Sequence, residues 1–413
     1  MRSRKPRREK YASGFRQRLG KYPKFKHDGR EVIWLHCVSV GETNAARPLV
    51  DALPEQLPNH RVVISTTTKT GQELARKIFA GKADAIFYFP FDFRFSVRRA
   101  LGNYRPAIIL LMETEIWPRL IREAKYSGAK VAIVNGRVSK RSFERYARIR
   151  YFLRTVLADI DLALMQHDSD AKRIMDLGFD ANKVAVTGNL KFEQTATGTD
   201  DKLTAEFRAR FGISSEKPLV IAASTHEPEE RLVLESLDGE LGHSCRLMIA
   251  PRHPERFDAI EKLLRDSSYS FVRRTSPPSE TDKDANIILL DSIGELRAAY
   301  PLAEIVFVGG SLIEHGGQSV LEPAAAGKAI VTGPYTHNFR SIIEEFLTQR
   351  AIIQLTPQVD QLHYVRLLAD LFEALSRDPV ERELIGTNAS ALMDANRGAT
   401  SKTIEFLHGL VGR

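Results

Sequence analysis

Short apolar, β-branched runs recur along this chain at intervals of mostly 22 to 32 residues, with polar helical segments between them. In the first half strands are predicted near Val32–Cys37, Arg61–Ser65, Ala85–Phe89, Ala107–Met112, Lys130–Val134, Asp161–Met165 and Lys183–Thr187. That interval is the length of a strand plus its return helix, and repeated units of this kind give a parallel sheet with helices on both faces. A second series follows at Leu219–Ala223, Arg246–Ile249, Phe271–Arg273, Asn286–Leu290, Glu304–Val308 and Ala329–Thr332. Between the two lies Thr195–Pro218, rich in Thr, Asp, Ser and Gly, which reads as a linker plus the first helix of a second domain. At 413 residues the chain is too long for one ordinary domain. Two doubly wound α/β domains facing each other across a cleft are therefore expected.

Open α/β sheets bind ligands beyond the carboxyl ends of their strands, so polar residues that follow strands directly are the candidates. Glu42 closes the turn VSVGE after the first strand, Glu113 follows the apolar run AIILLM, and Lys191 lies in GNLKFE. In the second half Ser224, Thr225 and His226 follow LVIAA, Arg252 and His253 follow RLMIA, Glu295 follows IILLD, and Ser319–Glu322 follow the fifth strand. All would line one cleft. The segment Ile305–Pro334 is the most telling, because it reads as strand, glycine-rich loop, helix and strand. Gly309, Gly310, Gly316 and Gly317 let the backbone approach a ligand closely. Ser319 is expected to cap the helix, with Glu322 three residues on as in a capping box, and the first-turn N–H groups would face an anion.

Each candidate also has an ordinary explanation. Glu42 suits the N-terminus of a helix through Ala45 to Leu53, where a carboxylate complements the macrodipole. Glu113, ending so apolar a strand, must be exposed at the sheet's edge or paired, and Pro118 reads as the first residue of the next helix. Lys191 taken alone reads as a surface lysine. Arg252 is a planar donor suited to phosphate, but Pro254 and Glu255 beside it are natural helix starters. His226, His253, His315 and His337 lack the close spacing of a metal site, so no metal is assigned. Cys37 and Cys245 sit far apart in apolar runs, which fits a reducing compartment without a disulfide framework and excludes zinc held by cysteines.

The net charge of +8 is concentrated at one end. Met1–Lys26 holds eleven Lys or Arg against Glu9 alone, a balance of +10 that leaves the other 387 residues at −2. The arm has few aromatics and no nucleic-acid motif, so anionic lipid headgroups fit at least as well and nucleic acid is not assigned, the ordinary reading being a solvated, partly disordered tail. Tyr11, Phe15 and Leu19 recur at four-residue spacing among Arg16, Arg18 and Lys21, as in a short amphipathic helix on a membrane surface. A second basic segment, Asn135–Leu157, sets Arg137, Lys140, Arg141 and Arg145 among Phe143, Tyr146 and Phe152. It reads as one helix with its basic face outward, either a solvated surface or a place for an anionic lipid acceptor. No apolar run approaches 18 residues and no signal-peptide pattern precedes the first strand, so the sequence predicts a chain that neither spans a membrane nor is exported.

VSVGE, METEIWP, GNLKFE, STHEPEE, APRHPER, GGSLIEHGG, LEPAAAGK and TGPYTHNF, in this order and over essentially the whole chain, resemble the 3-deoxy-D-manno-octulosonic acid (Kdo) transferase family. The resemblance implies an inverting glycosyltransferase of GT-B fold, with two Rossmann-like domains. Such an enzyme moves Kdo from CMP-Kdo to a lipid A precursor at the cytoplasmic face of the bacterial inner membrane, without a cofactor or a catalytic divalent metal. It further implies Glu42 as catalytic base, Glu113 and Lys191 as transition-state helpers, and CMP held by Pro251–Arg252, Ile293–Gly294–Glu295 and Ser319–Val320–Leu321–Glu322. Ser224–His226 are expected beside the donor and Arg137, Lys140, Arg141 and Arg145 beside the acceptor. The expected division is a membrane-proximal leader over 1–26, an acceptor domain over 27–200 and a donor domain over 201–413, whose last helix packs back on the first domain. Two departures stand out. Family members carry HNPLE or QNPLE where this chain has Gln318–Glu322, so a hydroxyl replaces an amide at Ser319. The basic stretch Lys10–Gly20 is present without the hydrophobic anchor that commonly precedes it, which fits either a truncated chain or a peripheral seat on the membrane. A lipid-acting GT-B transferase that uses a UDP-sugar is the nearest alternative, and a protein that merely binds a membrane or nucleic acid through its basic arm is the other.

Overall fold

The computed structural model describes residues 13–194, 200–214, 217–238 and 244–411. The chain divides into two compact units, one comprising Met1–Gln194 with Asn396–Arg413 and the other Thr195–Ala395.

The first unit is a seven-stranded sheet in which every pairing is parallel, in the order β3-β2-β1-β4-β5-β6-β7. Its strands are Glu31–Cys37 (β1), His60–Thr66 (β2), Ala85–Tyr88 (β3), Pro106–Met112 (β4), Lys130–Gly136 (β5), Leu162–Met165 (β6) and Val184–Val186 (β7). Alternation along β1 sends Val32 and Trp34 into one apolar layer and Ile33, Leu35 and Cys37 into the other. Both faces are thus covered, as a parallel sheet requires.

The second unit repeats the plan with Leu219–Thr225 (β8), Arg246–Pro251 (β9), Phe271–Arg273 (β10), Ile287–Leu289 (β11), Ile305–Val308 (β12), Ala329–Thr332 (β13) and Ile353–Gln354 (β14). These pair in parallel in the order β10-β11-β9-β8-β12-β13-β14. The β14 strand is absent from the sequence reading because two residues carry no periodicity.

Where the sequence pointed to a membrane-lying helix near the start, the described residues there are helical only over Phe15–Arg18, and Tyr11 lies outside them. From residue 13 the segment packs on the first unit. Arg18 is buried and donates to the Ser13 and Thr67 carbonyls. Tyr22 meets Phe87 and Tyr104 edge-on, Phe25 is buried, and the Gln17 amide oxygen accepts from the Tyr88 N–H. Gly14 is obligatory, since it has a φ of 73° and a Cβ there would fall 2.0 Å from the Tyr88 ring. Among the described residues no helix is long and apolar enough to cross a membrane.

Candidate active site

In the first unit the strand order reverses direction between β1 and β4, and a ligand crevice is expected beyond the carboxyl ends of that pair. Glu42 comes just after β1 and Glu113 just after β4. The helix carrying Glu42 is Val40–Ala45, followed by a separate helix at Arg47–Gln56, rather than the single helix from Ala45 to Leu53 that the sequence pointed to. The cause is a local cap. The Ser39 hydroxyl accepts from the Glu42 N–H at 3.4 Å and donates to Oε1 at 3.0 Å, while the Val38 N–H donates to Oε2 at 2.7 Å. Glu42 is 6% exposed. Burial, then the neighbouring charges of Glu113 and Glu115, push its carboxyl up to about 8, against the two hydrogen bonds that favour ionisation.

Glu113 has φ 53°, in the left-handed region, with its N–H donating to the Val134 carbonyl at 2.9 Å. It is paired, not at an open edge: Lys191 Nζ donates to its Oε1 at 2.8 Å. Lys191, 14% exposed, is correspondingly no ordinary surface lysine. Pro118 does open the next helix, Pro118–Tyr126. Several residues that hold this arrangement went unnoticed in the sequence. Thr114 exchanges hydrogen bonds with the Arg137 backbone, its hydroxyl donating to the carbonyl at 2.7 Å and accepting from the N–H at 2.9 Å. Asn135, buried and with φ 53°, accepts from the Leu190 N–H at 2.9 Å and so fixes the turn that carries Lys191. Asn396 accepts from the Asn189 N–H at 2.8 Å, and Glu193 accepts from the Thr400 N–H at 2.8 Å, so the end of the chain braces the same turn. Glu115 is buried enough for desolvation, then Glu113, to raise its carboxyl, with the Arg145 charge opposing.

The basic segment is two helices, Lys140–Ala147 and Arg150–Leu157, not one. No Gly or Pro marks the break at Arg148–Ile149. Phe143 and Tyr146 from the first helix and Leu153, Val156 and Leu157 from the second join one core. Lys140, Arg141 and Arg145 remain exposed, Arg137 is half-buried, and the Arg145 guanidinium lies 5.2 Å from the Tyr146 ring centre.

In the second unit β8 is flanked by β9 and β12, and here too the order reverses, between β8 and β12. Ser224 has φ 54°, and Thr225 and His226 are buried behind it. The residue that organises this edge is Glu229, which the sequence reading did not single out. Its carboxylate is fully buried and accepts from the N–H groups of His226 (2.9 Å), Gly310 (2.6 Å), Ser311 (2.9 Å) and Leu312 (2.9 Å). It thereby ties the glycine-rich loop to the end of β8. A Cβ on Gly309 would stand 2.7 Å from the Thr225 Cα, which excludes any side chain there. The signal was the acidic pair after Pro228, in a motif already conspicuous.

Pro251 ends β9 and Arg252 follows it, exposed, its N–H donating to the Thr225 carbonyl at 3.0 Å. Ile293 is 79% exposed and Gly294 has φ 87°, while the Glu295 carboxylate is engaged by Arg274 at 3.0 and 3.1 Å. Because β11 neighbours β9, the loops carrying 251–252 and 293–295 leave the sheet side by side. Ser319 is not the helix cap and forms no capping box with Glu322. The helix is Leu321–Ala325, Val320 occupies the cap position, and the Ser319 hydroxyl only accepts from the Leu321 N–H at 3.4 Å. Burial of Val320 and Leu321 sets the helix register, and the hydroxyl is left one residue short of the cap position it would need.

Residues 13–194 match the family described as 3-deoxy-D-manno-octulosonic-acid transferase (kdotransferase). Over 403 residues, 96% of this chain and 91% of the relative, the sequence is 33% identical to the 3-deoxy-D-manno-octulosonic acid transferase of Haemophilus influenzae. It is 31% identical to that of Bordetella pertussis over 391 residues, 92% of this chain and 87% of the relative. Among solved structures, Acinetobacter baumannii MurG superposes with a TM-score of 0.55 over 92% of this chain and 99% of that one, at 14% identity, a likeness of GT-B fold alone. Sharing a third of its residues with such a relative over nearly its whole length, the chain belongs to the 3-deoxy-D-manno-octulosonic acid transferase family and is a glycosyltransferase.

Proposed function

We propose that the chain transfers Kdo, with inversion, from CMP-Kdo to a lipid A precursor of the lipid IVA type in the inner-core stage of lipopolysaccharide synthesis. Glu42 is the general base. The observation that carries this reading is the buried Glu42 carboxyl, raised to about 8, beside the Glu113–Lys191 ion pair at the β1/β4 switch point. A carboxylate forced to ionise in a desolvated place is a strong base for a hydroxyl. As the acceptor oxygen bonds to the anomeric carbon, its proton passes to Glu42. The bond to the CMP phosphate breaks with its electron pair going to phosphate, so no acid is needed for the leaving group. Glu113 and Lys191 offer opposite charges for the oxocarbenium-like centre and the departing anion.

On this reading CMP is held by the second unit through Pro251–Arg252, Ile293–Glu295 and Ser319–Glu322, with Ser224–His226 at their side. The acceptor phosphates are received by Arg137, Lys140, Arg141 and Arg145, a placement supported by the pull of Arg145 on Glu115, the neighbour of Glu113. The basic leader then serves an anionic inner-membrane surface on its cytoplasmic side. The test is transfer from CMP-Kdo to a tetra-acylated lipid A precursor, read as product mass. Wild type yields product, and Glu42→Gln retains CMP affinity but loses at least a hundredfold in rate, the order a positioned base contributes, ~10²–10⁴. Activity of that variant within threefold of wild type would remove Glu42 from the mechanism.

A further inference from the structure

Three histidines distant in sequence meet at one edge of the second unit. His226 follows β8, His253 follows β9 and His315 lies in the loop after β12, and these strands are neighbours in the sheet. The His226 ring centre lies 4.2 Å from that of His315 and 5.2 Å from that of His253. The sequence spacing had argued only against a metal site among them, and had placed His226 and His253 on one cleft. His226 is only 8% exposed, and neither of its ring nitrogens makes a hydrogen bond of good geometry, although the Ser224 carbonyl is close enough to draw its proton. Leaving a buried polar group unmatched costs about 1–3 kcal/mol, so a residue that merely filled this space would be apolar.

The surroundings select the charge of the ligand. Arg252, His253 and His315 are all exposed around the buried ring. The acids recorded with them are Glu255, 3.5 Å from His253, and the buried Glu229, whose carboxylate accepts from the His226 N–H at 2.9 Å and is already engaged by the loop amides. Among the described residues no three His, Cys, Asp or Glu are arranged to hold a metal ion. A guanidinium beside imidazoles favours an anion over a cation. The loop amides that would ordinarily cradle an anion are spent, because Gly310, Ser311 and Leu312 all donate to Glu229. These three amides are thus not available to a ligand, and the side chains of Arg252 and the histidines are the charged groups that face it. The His226 Nδ1 lies 3.4 Å from where a Cβ on Gly310 would stand, so the ring faces the loop at a residue with φ 65°.

We infer that His226, His253 and His315, with Arg252, form an oxyanion-binding subsite at the β8/β12 switch point. If the donor is CMP-Kdo as proposed above, the ligand is one of its two oxyanions, the sugar carboxylate or the phosphate. Burial, then the neighbouring charges of His315, His253 and Arg252, hold the His226 imidazole down to about 4, and the charge of a bound anion would oppose that shift.

The experiment uses the full chain and four measurements on wild type, His226→Asn and the exposed His315→Gln: Kd for CMP, Kd for cytidine, KM for CMP-Kdo, and melting temperature. A tenfold or greater weakening of CMP with cytidine unchanged assigns the subsite to phosphate. A tenfold rise in KM for CMP-Kdo with CMP unchanged assigns it to the carboxylate. Folded variants whose CMP affinity and KM both stay within twofold of wild type would overturn the subsite. Should His226→Asn fail to fold, His315→Gln decides by the same readings. Wild type that binds CMP through these histidines yet never turns over CMP-Kdo would sink the proposed donor and leave the subsite standing.

Discussion

Glu42 is the residue where stability and reactivity oppose each other. Its ordinary value is 4.5, and burial with two acidic neighbours lifts it to about 8 in the folded chain. Below pH 4.5 both states hold the proton and the group is neutral in its effect. Between 4.5 and 8 the unfolded chain has released a proton that the folded chain retains, so stability falls as pH rises through this window and levels off above it. The loss is on the order of a few kcal/mol, at about 1.4 kcal/mol for each unit of displacement. Glu42→Gln should therefore gain on wild type in melting temperature progressively from pH 5 to pH 9, while kcat/KM for wild-type transfer climbs toward a plateau above about pH 8. Parallel melting curves across that range would show a carboxyl that ionises normally. The sequence placed Glu42 after a strand, but its two roles were separable only in three dimensions. The same side chain closes the Val40–Ala45 helix start through Ser39 and faces Glu113.

At the scale of elements, the pair Lys140–Ala147 and Arg150–Leu157 shows how a basic surface is offered by a segment that also builds the core. Lys140, Arg141 and Arg145 stay exposed because Phe143 and Tyr146 turn the opposite face inward. Each Lys or Arg near an anionic surface contributes about 1 kcal/mol, so reversing two of them should weaken attachment by well over tenfold. Arg141→Glu with Arg145→Glu is expected to lower binding to vesicles containing the acceptor and to lower transfer, with CMP affinity and melting temperature unchanged. Equal vesicle binding would move the acceptor surface elsewhere. The helix break was invisible in the sequence because no breaker residue encodes it.

At the scale of the whole molecule, the chain leaves the first unit after Gln194 and returns to it at Asn396. The final helix, Ala399–Val411, buries Ile404 and Leu407 in the layer built by Leu49, Leu53 and Ile64. Leu407→Ala should cost the first unit about 2–5 kcal/mol. Amide exchange should accelerate in β1 and the Arg47–Gln56 helix while β8 and β12 keep their protection, and equal loss in both units would refute the division. The sequence by itself determined the alternation of strands and helices, thirteen of the fourteen strands, and the polar residues that follow them. Those signals are local, since side-chain alternation and turn chemistry act over a few neighbouring positions. Tertiary structure alone decided which of these residues meet: Glu113 with Lys191 across 78 positions, Glu229 with the loop more than 80 positions on, and three histidines around one buried ring. Pairing and desolvation depend on separation in space, and a sequence fixes separation only along the chain.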